Sequence, residues 1–295
     1  MAKQQRRIRP ASRFWIRRRG QQTIAVIPTL LTLGNAVCGF GSITYAARVG
    51  PEVAASNDLY FAALLIFVAM IFDALDGPVA RLSSQTSDFG AQLDSLSDAI
   101  SFGVAPAFLM LRVSYVFHPR VLWVIALLYV LSVLLRLARF NLHNDTDEYK
   151  HPFCGLPSPA AAGMVASLVI VAPGHGGVAS LLESHWLVES LTSATTTFVP
   201  VAALIAAFLM ISRVPYQRDV SQFVSGRVRY RRLVKFVFLL VVVAAFHELA
   251  MPLVFIWYVA SPVLRALFSR MLRMRATLEA GDEATNGSDA DDAYT

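Results

Sequence analysis

The stretch that decides the fold is Asp73-Ala74-Leu75-Asp76-Gly77-Pro78-Val79-Ala80-Arg81, followed across a short polar linker by Gly90-Ala91-Gln92-Leu93-Asp94-Ser95-Leu96-Ser97-Asp98. Four carboxylates, one arginine and two glycines stand where two long apolar runs meet. Asp73 and Asp76 are three residues apart, and Asp94 and Asp98 are four apart, so on helices each pair shares a face. A tight turn around Ser83 to Asp88 brings the two helix ends together and lets the four acids converge. An ionised aspartate inside a membrane span costs about 2.5–3.5 kcal/mol at mid-bilayer and less near the interface. A purely structural role would have to offset that cost several times over. Only Asp88 reads equally well as a solvated loop residue.

Clustered carboxylates repel one another unless cations hold them. Oxygen-only ligands select hard divalent ions, magnesium or manganese, with calcium a further candidate. No histidine lies in the stretch, which argues against zinc. Magnesium at such sites usually shares its coordination with substrate phosphates. Gly77 and Gly90 remove side chains where a ligand must come close, and Arg81 is a fixed cation suited to a phosphate. Pro78 lacks an N–H and either frees the Ala74 carbonyl or only kinks its helix.

Outward from this stretch the chain reads as membrane. Its 295 residues are 56% hydrophobic and only 16% charged, against roughly a quarter charged for a soluble domain. Several apolar runs approach the ~20 residues that cross a bilayer, without the alternation of a membrane barrel. The expected class is an all-α integral membrane protein of about eight spans: a core of six, then a C-terminal hairpin of two. The core spans are Ile27 to Ala47, Leu59 into the acidic stretch, the second half of that stretch through Leu111, Val121 to Phe140, Gly155 to Ala172, and Thr197 to Ile211.

The organisation that follows is a basic arm at 1–25, a membrane core at 26–217, a basic loop at 218–232, the hairpin at 233–270, and a polar tail at 271–295. The tail is acidic and poor in apolar residues, a composition that favours disorder. The arm's arginines read better as a contact with anionic lipid than with nucleic acid, because a span follows at once. Eight spans with both termini inside put every arginine-rich segment in the cytoplasm, as the positive-inside rule requires. The same alternation puts the acidic stretch and the polar ends of the fourth, fifth and sixth spans on that side. Cys38 and Cys154 show no metal or redox spacing and read as small packing residues.

The spacing Asp73-x-x-Asp76-Gly77-x-x-Ala80-Arg81, eight residues, Gly90-x-x-x-Asp94-x-x-x-Asp98 resembles, without a gap, the signature of the CDP-alcohol phosphatidyltransferases. The flanking segments Ile27-Pro28-Thr29-Leu-Leu-Thr32-Leu-Gly34-Asn35, Arg136-Leu-Ala-Arg139-Phe140-Asn141, Gly155-Leu-Pro157-Ser158-Pro159 and Ser212-Arg213-Val-Pro215-Tyr216 look like those of its membrane-integral serine-transferring members. The likeness covers about residues 25 to 217, and Thr29 departs from it, since those enzymes commonly carry Asn there.

The resemblance implies transfer of the phosphatidyl group of CDP-diacylglycerol to L-serine with release of CMP, directly or through a phosphatidyl-enzyme, in a homodimer of the cell inner or plasma membrane. It implies that Asp73, Asp76 and Asp94 hold magnesium or manganese. Asp98 would be the general base, with a metal contact of its own. Gly77, Ala80, Arg81 and Gly90, with Thr32 and Asn35, would bind the CDP-lipid. Serine's carboxylate wants an arginine. Arg136 and Arg139 share a helix face, so these two, Asn141 and Arg213 are the expected acceptor residues, a simple positive-inside anchor being the other reading of Arg213.

The same chemistry on glycerol 3-phosphate, inositol phosphate or choline is the nearest alternative. An ion transporter using intramembrane aspartates is a second, but it offers no reason for Gly77, Ala80, Arg81 and Gly90 at fixed offsets. The small residues of the first and fifth spans could serve a dimer or pack within one chain.

Overall fold

The computed structural model describes residues 26–50, 56–82, 88–144, 155–171, 185–212, 214, 216, 250–265 and 271. Its described elements are helical: α1 (Val26–Ala47), α2 (Asn57–Leu82), α3 (Asp88–Asp98), a π-helical segment (Ala99–Val104), α4 (Ala105–Val113), α5 (Pro119–Asn144), α6 (Ser158–Ile170), α7 (His185–Ile211) and α8 (Ala250–Arg265). Among the described residues, five helical stretches are long and apolar enough to cross a membrane: Val26–Ala47, Asn57–Ala80, Phe89–Val113, Pro119–Asn141 and Ser190–Ile211. The protein is therefore a helical integral membrane protein. Two shorter apolar helices, α6 and α8, fall in the expected fifth and eighth spans. Most of the expected seventh span lies outside the described residues.

α1 shows how sequence becomes packing. Pro28, Thr32, Asn35, Cys38, Gly39, Ser42 and Ala46 are buried, recurring every three or four residues along one face. Leu30, Leu33, Val37 and Phe40 point outward, where lipid is the natural solvent. The small buried face lets α1 lie close to α2, its most extensive partner, and to the π segment. At Gly39 an added Cβ would stand 2.7 Å from the Ser101 backbone Cα, so nothing larger than glycine fits without moving a helix. The small residues of α1 and α6 are thus spent on packing within one chain.

α3, the π segment and α4 form one unbroken rod from Asp88 to Val113. The π segment was not foreseen. Its wide turn begins directly after Asp98, and the Ala105 N–H reaches back five residues to the Ile100 carbonyl. It buries Ser101, Phe102 and Gly103 against α1 and α5.

α6 is the central post: eleven of its thirteen residues are buried, and its alanines and Gly163 give it the girth to sit between α2 and α7. At ~1.5 Å per residue it is shorter than the ~30 Å hydrocarbon core. Its entry is set by Gly155, whose φ of 100° is open to glycine, and whose N–H donates to Val214 O at 2.9 Å. A Cβ there would meet the Met210 carbonyl oxygen.

Two boundaries differ from expectation. α5 runs on to Asn144, so Asn141 is helical where a loop was expected, because nothing in Phe140-Asn141-Leu142 breaks a helix. α7 starts at His185, twelve residues before the expected Thr197, and within the added length hydroxyls bond to carbonyls one turn earlier, as Thr195 does to Leu191 O at 2.9 Å. α2 continues through Pro78 to Leu82, up to the turn expected from Ser83.

Candidate active site

The last turns of α2 and the first turns of α3 meet at one end of the bundle, and the acids meet with them. Carboxylate oxygens of Asp73, Asp76 and Asp94 all lie within 4.8 Å of one another. Asp98, one turn beyond Asp94, stands outside this trio with its carboxylate beside that of Asp73. Asp76 and Asp98 are buried, and Asp73 and Asp94 half-buried. The four acids expected to converge do so, but as a group of three and a neighbour.

α1 supplies what holds them. Thr32 Oγ1 stands 3.0 Å from Pro28 O and 3.3 Å from Asp76 Oδ2, so its single proton can serve either. Asn35, fully buried, donates from Nδ2 to Asp98 Oδ1 at 3.0 Å. Its own backbone carbonyl accepts from Ser101 Oγ at 2.8 Å, which ties α1 to the π segment one turn past Asp98. Thr32 and Asn35, expected on the CDP-lipid, direct these hydrogen bonds at the acids themselves.

A divalent cation fits this arrangement. The donors are all oxygen, three like charges are held together, and Asp94 Oδ1 is buried with no hydrogen-bond partner. A buried acceptor left unmet is costly, and a hard cation is the partner that carboxylates in this number accept.

Around the trio the space is open on one side. Among the described residues, no neighbouring element places an atom within 4 Å of where a Gly77 side chain would begin. Ala80 and Gly90 are half-buried nearby on the same two helices. Arg81 is in α2, but its side chain lies outside the described residues, as does Arg213 altogether.

The expected acceptor residues separate. Arg136 is half-buried, donates from Nη1 to Ser158 Oγ at 2.8 Å, and is near enough to Asp73 to act on its charge. Arg139, expected to share its face, is exposed. Asn141 faces α3, where Nδ2 donates to Ser95 Oγ at 3.1 Å. Ser158 and Ser95 were not singled out as site residues. Ser158 could have been, since it lies in the quoted Gly155-Leu-Pro157-Ser158-Pro159 segment and opens a helix. Ser95 carried no signal beyond its place between two acids.

The structure is a bundle of membrane helices that gathers carboxylates at one end, with three of them close enough to share a cation. The comparisons make the class specific. A family model described as CDP-alcohol phosphatidyltransferase matches residues 25–211, and the chain belongs to that family. The resemblance drawn from the motifs is borne out.

Relatives named CDP-diacylglycerol–serine O-phosphatidyltransferase include one from Mycobacterium tuberculosis, 39% identical over 150 residues, which are 50% of this chain and 49% of that protein. One from Mycobacterium leprae is 33% identical over 250 residues, 82% of this chain and 73% of the relative. One from Bacillus subtilis is 33% identical over 165 residues, 54% and 86%. The match to the Mycobacterium tuberculosis protein thus spans about half of its length.

Proposed function

We propose that the chain transfers the phosphatidyl group of CDP-diacylglycerol to the hydroxyl of L-serine, forming phosphatidylserine and CMP. The observation that carries this reading is the trio Asp73, Asp76 and Asp94 with Asp98 beside it, held by Asn35. The names of the relatives support both the lipid donor and the serine acceptor.

Each residue then has a task. Asp98 takes the proton of the serine hydroxyl as the serine oxygen bonds to the β-phosphorus. The bond from that phosphorus to CMP breaks, and CMP leaves with its electron pair. A positioned base of this kind contributes about 10²–10⁴-fold. Asn35 fixes one oxygen of Asp98 and leaves the other for the proton. Asp73, Asp76 and Asp94, with Asp98 as a further contact, would hold magnesium or manganese, which stabilises charge on the diphosphate oxygens when bound. Gly77, Ala80, Arg81 and Gly90 line the CMP portion. The empty space at Gly77 supports this, since a nucleotide needs room where a side chain would stand. Arg136 receives the serine carboxylate, and Ser158 orients its guanidinium. The site faces the cytoplasm, with both termini on that side, and the working unit is a homodimer in the cell inner or plasma membrane.

CMP release from CDP-diacylglycerol by the purified protein, with one acceptor at a time, tests the proposal. Turnover is expected with L-serine and not with glycerol 3-phosphate, inositol phosphate or choline. Turnover with one of these and none with serine would overturn the acceptor and keep the chemistry. No CMP release with any of them would overturn both.

A further inference from the structure

α8 lies beyond the residues matched to the family, and its packing brings it to Arg136. A Cβ on Gly163 of α6 would stand 2.9 Å from Phe255 Cδ1, so the Phe255 ring of α8 fills the space that Gly163 leaves beside α6. Phe255 also packs on Phe67 of α2, with ring centroids 5.7 Å apart. Three residues on, Tyr258 projects from the same face of α8. Back along α6 from Gly163 lies Ser158, the hydrogen-bond partner of Arg136.

The ring of Tyr216 lies 6.1 Å from that of Tyr258, and its hydroxyl donates to Val259 O at 3.0 Å, pinning α8 in place. Tyr216 is spent on this packing, with 5% of its surface exposed, whereas Tyr258 keeps 38%. Tyr258 and Asp73 both lie within reach of the Arg136 charge. Arg136 is thus a cation common to the surroundings of Asp73 and of Tyr258, whose ring is partly exposed.

We propose that Tyr258 is a specificity-determining residue, its hydroxyl donating to the acceptor's carboxylate alongside the Arg136 guanidinium. The proposal rests on the acceptor reading of Arg136 given above. A carboxylate offers two oxygens in a plane, and Ser158 holds the guanidinium so that a second donor from α8 completes the grip. An acceptor with the same hydroxyl and amine but no carboxylate makes neither of these bonds, and a site that recognises its substrate through hydrogen bonds discriminates against such an analogue.

Ethanolamine is that analogue. The experiment measures kcat and KM of the full chain for L-serine and ethanolamine, and KM for CDP-diacylglycerol, in Tyr258→Phe and in Arg136→Lys. The phenylalanine keeps the ring packed on Tyr216, so α8 stays docked. Tyr258→Phe is expected to raise the serine KM about tenfold, erode the preference for serine over ethanolamine, and leave kcat and the CDP-diacylglycerol KM in place. Arg136→Lys is expected to do the same more strongly.

If Arg136→Lys shifts serine and Tyr258→Phe shifts neither quantity, the role of Tyr258 is overturned and the acceptor reading stands. Should neither variant move the serine KM, the acceptor reading falls with it. Equal losses for serine and CDP-diacylglycerol in Tyr258→Phe would overturn the proposal by showing a packing role only.

Discussion

The two sides of the site are built differently. On the acid side, four carboxylates come from two helix ends joined in sequence, and a single further helix, α1, steadies them through Thr32 and Asn35. On the Arg136 side, α5, α6 and α8 each bring one group: Arg136, Ser158 and Tyr258. The first is a local construction, braced by buried hydrogen bonds. The second is assembled from helices far apart in sequence and depends on how they pack. On the proposed function the chemistry belongs to the first side and the choice of acceptor to the second, so the two should respond separately to substitution.

The strongest way to break that separation is Asp98→Asn. It is expected to cut turnover by about 10²–10⁴-fold while CDP-diacylglycerol binding is largely kept. CMP release beside equilibrium binding of the CDP-lipid checks it, and wild-type turnover would remove Asp98 as the base. Next comes Asn35→Ala, which takes away the donor to a buried charge. A hydrogen bond to a charged group is worth about 1.5–3 kcal/mol, so turnover should fall roughly 10–100-fold with little change in the serine KM. If the serine KM rose instead, Asn35 would belong to the acceptor side.

Arg139→Ala sharpens the other side. Exposed where Arg136 is half-buried, Arg139 should contribute about 0–1 kcal/mol, a serine KM change of about fivefold or less. A larger loss there than in Arg136→Lys would exchange their roles. The smallest catalytic effect is expected from Gly39→Ala, which forces α1 away from Ser101. Overpacking of this kind costs about 1–3 kcal/mol, read as a lowered melting temperature in detergent, with the serine-to-ethanolamine preference intact.

The same contrast explains what could be read before any coordinates. Asp73, Asp76, Asp94 and Asp98 announce themselves because charge amid apolar residues is expensive, and because three- and four-residue spacing on helices fixes their faces. The helical membrane architecture follows from apolar run length for the same reason of cost. The partners of the acids were harder. Asn35 stood out only by resemblance, since one asparagine in a small-residue face looks like ordinary helix packing.

Arg136 and Arg139 could not be told apart, because helix periodicity gives angular separation and not the depth of a neighbour. The start of α7 lies twelve residues before the expected Thr197, in a stretch rich in serine and threonine whose hydroxyls bond to carbonyls of the preceding turn. Tyr258 had no signal at all. Its relation to Arg136 is created by a glycine on α6 and a phenylalanine on α8, more than ninety residues apart in the chain.

The π segment after Asp98 has a mechanical consequence. One extra residue in a turn rotates everything on one side of it by about 100° relative to the other. The rod from Asp88 to Val113 has to aim acids into a polar cleft at one end and seat Leu109, Met110 and Val113 in the apolar core at the other. The wide turn is the gear between those two headings. Removal of a single residue between Ala99 and Val104 would turn Asp94 and Asp98 away from Asp73 and Asp76 without altering one side chain in the motif.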